Sequence, residues 1–146
     1  MKDSGKSGII EALRQSLNWS KRDKIIVEIG YDETMSRDYV ISMIDRSNPK
    51  LCILIISNTI GRLDAEVARY VINSKKRLCV SLNKSDEIIY NLEKQHSFYG
   101  NQDYTRKRLE AANNEFKKVN IFNLPCFTTS ALVLAGILNN TKYFVK

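Results

Sequence analysis

Asn83-Lys84-Ser85-Asp86 stops an apolar run, and its residue types suit one particular chemistry. A carboxylate held at the end of a strand can accept two hydrogen bonds from guanine, one from the ring N–H and one from the exocyclic amine. Adenine cannot offer that pair. Asp86 has the required character. The amide of Asn83 can tie neighbouring loops together, and the aliphatic stem of Lys84 can lie along a flat purine while its ammonium stays in water. The same residues have a second use, in which Ser85 or Asp86 caps the helix that follows.

Two further stretches carry related chemistry. Near the amino terminus, Gly5-Lys6-Ser7-Gly8 precedes Ile9, Ile10, Ala12, Leu13 and Leu17 at helical spacing. Backbone N–H groups opening a helix form a phosphate cradle. Lys6 would add a point charge on the outer phosphates, and the Ser7 hydroxyl would join the shell of Mg2+. A flexible Gly/Ser terminus is the plainer reading. Near the carboxyl terminus, Thr129-Ser130-Ala131 joins an apolar run to an apolar helix expected over 132–138. Its backbone amides, at Ser130 and Ala131, would face a base carbonyl, unless Thr129 or Ser130 is simply a helix cap.

The elements that must position these residues follow from hydrophobic pattern. Runs rich in Ile, Val, Leu and Cys at 24–29, 51–57, 77–82 and 124–128 predict strands covered on both faces, because none alternates cleanly. Helical spacing predicts helices over 34–46 (Tyr39, Val40, Met43, Ile44), 62–74 (Leu63, Val67, Tyr70, Val71) and 85–93 (Ile88, Ile89, Leu92). A longer helix is expected over 104–119, with Leu109, Ala112, Phe116 and Val119 on one stripe. Residues 95–103, polar with Gly100 inside, read as a connecting loop. Strands alternating with helices at this pitch predict an α/β domain spanning 1–146, a three-layer α/β/α sandwich on a mostly parallel sheet of four or more strands. Ligands of such sheets bind at the carboxyl ends of the strands.

With these stretches in this order, the chain resembles the P-loop GTPases. Gly5-Lys6-Ser7 looks like the tail of the phosphate loop, Asn83-Lys84-Ser85-Asp86 like the guanine reader, and Thr129-Ser130-Ala131 like the last base-contacting loop. The stretch LCILIISNTIGRLDAEVARYVINSKKRLCVSLNKSD looks especially like that of dynamin-like and immunity-related GTPases. The resemblance implies binding of GTP or GDP with Mg2+, and slow GTP hydrolysis where the catalytic parts survive. The chain departs from the family in its first part. G-x-x-x-x-G-K-[ST] needs a first Gly upstream of Met1, and the place of the family's D-x-x-G holds Glu28 and Asp32 with no Gly three residues later. Between Lys6 and Glu28 there is no room for the switch loop, and Thr34 comes too late to serve as its Thr. Hydrolysis depends on positioning water against a metal-bound phosphate, so these departures affect catalysis more than base recognition. The catalytic residues are accordingly left unassigned. An atypical domain and a shortened chain both account for the pattern.

Composition bounds the alternatives. Lys and Arg number 23 against 16 Asp and Glu, a net charge of +7, which suits anionic partners. The positive residues lie in small clusters at 21–22, 75–77, 106–108 and 117–118, expected on solvated helix faces. A degenerate GTPase-like module using these helices to engage a protein, a second copy, a lipid surface or nucleic acid is the competing reading. A different α/β enzyme would use Asp64 and Glu66 as its acids, although proximity to a helix N-terminus already explains both. His96, the single histidine, sits in a polar loop without a nucleophile beside it. Cys52, Cys79 and Cys126 are an odd number without CxxC spacing, so reduced thiols in the cytoplasm are expected rather than disulfides or a metal site. The longest apolar run, 51–56, is too short to span a bilayer, and no secretory leader is expected.

Overall fold

The computed structural model describes residues 8–11 and 27–130. Residues 8–11 are helical, with Ile9 buried. The remaining elements alternate as α1 (Arg37–Ser47), β1 (Leu51–Ile56), α2 (Arg62–Asn73), β2 (Arg77–Leu82), α3 (Ser85–Lys94), α4 (Asn101–Lys117) and β3 (Cys126–Thr128). The fold is α/β. Its three strands are parallel in the order β1-β2-β3, with Leu54 opposite Val80 and Val80 opposite Cys126.

Local chemistry accounts for the boundaries. Ser36 accepts the Tyr39 N–H and starts α1, while Asn48 ends it in the left-handed region, φ 44°, just before Pro49. This helix therefore begins three residues later than the apolar pattern suggests. α4, by contrast, begins at Asn101 rather than at 104, because Gly100 turns the chain at φ 103° and lets a polar first turn form. The connecting loop is correspondingly shorter than expected. The first expected strand, 24–29, is not formed in its described part. Residues 27–30 are irregular, although Ile29 and Tyr31 still pack against the core.

One core joins these elements. Leu54, Ile56, Leu78, Val80 and Leu82 from the sheet meet Val40 and Ile44 of α1, Leu63, Val67, Ala68 and Val71 of α2, and Ala112 and Phe116 of α4. Register fixes the faces: Leu54, Val80 and Cys126 point to this core, so Leu51, Ile53 and Phe127 point to the other side. Those three are 53%, 44% and 43% exposed, so among the described residues this sheet face lies partly open. No helix among the described residues is long and apolar enough to cross a membrane.

The three cysteines, one on each strand, are partly buried and unpaired. Burial raises the pKa of each thiol, since the low-dielectric surroundings disfavour thiolate. Alkylation by iodoacetamide at pH 8 is therefore expected to be roughly tenfold or more slower in the native protein than in urea. Mass spectrometry of timed samples measures it, and equal rates in both states would contradict the burial of these thiols.

Candidate functional site

The carboxyl ends of the parallel strands gather the residues that the sequence singles out in its second half. β2 runs directly into Asn83, whose backbone N–H donates to Ile56 O at 2.7 Å and so ties the loop to the end of β1. On the other side Thr129 N–H donates to Leu82 O at 2.8 Å, and Ser85 N–H donates to Thr129 O at 3.0 Å. The ladder between β2 and β3 thus continues past the strands and locks the two loops together. Side chains reinforce the link: the Ser81 and Thr129 hydroxyls share a 2.5 Å hydrogen bond, and Thr129 Oγ1 lies 3.5 Å from Asn83 Oδ1. Asn83 is 1% exposed and Ser130 7%. Both are therefore buried in the wall of the loop pair rather than projecting from it.

Lys84 adopts the left-handed conformation, φ 59°, at the N-cap of α3 and caps nothing through its side chain. Ser85 does not cap α3 either: its hydroxyl approaches Leu82 O and accepts from Arg108. Asp86 stands in the first turn of α3, partly buried. Its carboxylate makes no hydrogen bond or ion pair among the described residues. The helix dipole favours a negative charge at this place. The capping explanation for these residues is therefore weakened, since neither hydroxyl nor carboxylate is used as a cap.

Sequence reasoning missed Arg108. It was expected on a solvated face with Arg106 and Lys107, and those two do pair with Asp103 and Glu110 along the surface of α4. Arg108 instead turns inward. Its Nη1, with two N–H groups, is shared among three acceptors, Leu82 O at 2.9 Å, Ser85 Oγ at 2.9 Å and Tyr104 Oη at 2.8 Å. Its Nη2 donates to Ser57 O at 3.0 Å and Asn83 O at 2.7 Å. One planar guanidinium thereby joins the ends of β1 and β2 to α4. The available signal was spacing: Tyr104, Arg108, Ala112 and Phe116 recur every four residues and form one stripe of the helix.

A second polar cluster lies at the start of α2. Asp64, 5% exposed, accepts the Tyr31 hydroxyl at 2.5 Å and the Gly61 N–H at 2.8 Å, while Glu33 accepts the Leu63 N–H at 3.2 Å. A Cβ on Gly61 would lie 2.0 Å from Glu33 Oε1, so glycine is what lets this carboxylate reach the helix end. Burial, and then the adjacent Asp64 carboxylate, pushes the Tyr31 phenol far above its ordinary pKa. Glu66 pairs with Arg62 on the surface of the same helix. Asp64 is thus a structural cap, and the pair Asp64 and Glu66 lacks the common cleft that acid–base chemistry needs.

The remaining candidates fall elsewhere. Asp32 turns back on its own loop, accepting from the Thr34 N–H at 2.9 Å and from the Thr34 hydroxyl, and these bonds lower its pKa. Glu28 is exposed in the irregular segment, and His96 is exposed at φ 54°. No group of three or more His, Cys, Asp or Glu able to hold a metal occurs among the described residues. Gly5, Lys6, Ser7 and Ala131, together with the helix expected over 132–138, lie outside the described residues. A 440 Å³ hollow lined by Asn113, Lys117, Ile121, Phe122, Asn123 and Leu124 precedes β3, at the opposite end of the sheet from the loop pair. No protein-family model matches the sequence, and no curated protein matches it.

Proposed function

We propose that this protein is a guanine-nucleotide-binding domain of P-loop type, with the base read by Asp86, Asn83 tying the loops together, and the backbone amide of Ser130 facing the base carbonyl. Ala131 would add a backbone amide to the base, and Lys84 would lie along the purine. In this reading Gly5, Lys6 and Ser7 bind the phosphates, and Ser7 contributes a ligand to Mg2+. A complete three-layer sandwich with a fourth strand belongs to the same reading. Asp32 holds Thr34 through Oδ1 in its own loop, so no role at the magnesium site is assigned to it. The reading accordingly assigns binding, with slow hydrolysis as its extension, in the cytoplasm.

The observation that carries it is the Asp86 carboxylate, unpartnered among the described residues, at the carboxyl end of a parallel sheet beside a hydrogen-bonded double loop. A carboxylate there gains most from a ligand presenting two adjacent donors, which guanine does. Arg106, Lys107 and Lys118 support a basic docking module less well, because each is paired with an acid on its own helix.

Isothermal titration with GDP, GTP and ATP tests the proposal. Binding of GDP and GTP but not ATP is expected; equal binding of all three would overturn guanine recognition, and absent binding of all three would leave a binding module without nucleotide chemistry. Asp86→Asn is expected to weaken GDP by about 10–100-fold, the loss of a charge-assisted pair, and to favour xanthosine diphosphate, whose ring presents the reversed group. Unchanged GDP affinity in that variant would remove Asp86 from its role.

A further inference from the structure

We infer that Arg108 is the positioning residue of the base-reading loop, setting guanine selectivity from a helix that need not touch the nucleotide; the selectivity half of this inference rests on the guanine reading above. Three of its acceptors are main-chain carbonyls at strand ends, Ser57, Leu82 and Asn83. Ser57 and Asn83 follow the last residues of β1 and β2, and Leu82 O, at the end of β2, also accepts the Thr129 N–H at 2.8 Å, so the guanidinium joins the end of the ladder to the loop beyond it. The Asn83 carbonyl belongs to the peptide that leads into Lys84, the one residue of the loop in the left-handed region. A non-glycine residue holds that conformation only when its surroundings impose it. Arg108 imposes it from below, by fixing the carbonyl before Lys84, and from ahead, by holding the Ser85 hydroxyl. Those two bonds act together with Asn83 N–H to Ile56 O and Ser85 N–H to Thr129 O to set the start of α3, and with it the direction of Asp86 one residue later.

The contacts are specific to a guanidinium. Arg108 spans Ser57 on one side and Tyr104 on the other through two nitrogens in a fixed plane, which a lysine ammonium cannot do. Tyr104 is itself 7% exposed and sits one helical turn before Arg108, so it buttresses the guanidinium from the same helix. Its removal should therefore have a smaller effect of the same kind.

The test has two readouts on the full chain. In hydrogen exchange, Arg108→Met is expected to raise exchange of peptides covering 83–88 by about tenfold or more, with exchange in 51–56 unchanged. Arg108→Lys should restore protection only in part. In titration, Arg108→Met is expected to lower the ratio of GDP to inosine diphosphate affinity several-fold, because inosine lacks the exocyclic amine that Asp86 would read. A role in stability alone would lower both affinities together and leave their ratio intact. Unchanged exchange at 83–88 in Arg108→Met overturns the positioning role whether or not nucleotide binds. Wild-type protein that binds no guanine nucleotide overturns the selectivity role and the functional reading, while the exchange result still decides what Arg108 does to the loop.

Discussion

Phe116→Ala is expected to destabilise the protein by about 3–5 kcal/mol, the usual cost of emptying a fully buried aromatic site. Phe116 is 1% exposed, the largest of the side chains buried to that degree. It lies on the same stripe of α4 as Ala112, Arg108 and Tyr104, so the helix is pinned to the sheet by an apolar end and a polar end. Small domains are stable by about 5–15 kcal/mol in total, so the loss is a large share of what holds the fold. Phe116→Leu keeps most of the volume and should cost less than about 1.5 kcal/mol. Urea unfolding of the three proteins measures the differences. A Phe116→Ala loss under 1 kcal/mol would mean that something other than this stripe docks α4.

The parts of this architecture legible from pattern are those where one physical cause dominates. β2 begins and ends at the predicted residues because an apolar run is cut off by Asn83-Lys84, with no competing signal. α2 carries a strong apolar stripe, and its bounds were predicted to within one residue for the same reason. The first turn of α4 was missed because Asn101, Gln102 and Asp103 contribute no apolar periodicity. That turn forms through Gly100 and the Asp103 pairs with Arg106 and Lys107 instead. The described part of the strand expected over 24–29, residues 27–29, is irregular, because apolar composition alone does not supply a pairing partner. The neighbourhood of Asn83 and Thr129 followed from parallel order. The inward turn of Arg108 did not, because charge clusters carry no sign of which member faces the core.

Asp64→Ala is the second large effect, expected at about 2–5 kcal/mol, and it arises from donors left behind rather than from lost bulk. Asp64 supplies acceptors to the Tyr31 hydroxyl and to the Gly61 N–H, and it is nearly inaccessible to water that could replace them. Asp64→Asn keeps the shape and one acceptor oxygen, so a smaller loss is expected. The Tyr31 phenol gives this cluster a signature on the alkaline side. Its pKa is raised in the folded protein, by burial first and by Asp64 next. The unfolded phenol ionises near pH 10, so the contribution of Tyr31 is whole below about that pH. It is lost progressively as pH climbs from there toward the folded value, because the unfolded chain releases a proton that the folded chain retains. Urea midpoints at pH 8 and pH 10.8 should therefore fall further in the wild type than in Tyr31→Phe, which has no phenol to ionise. Parallel falls in the two proteins would show that the Tyr31 proton is not held by the fold, and with it that Asp64 is not the acceptor that joins residues 31 and 61 to α2.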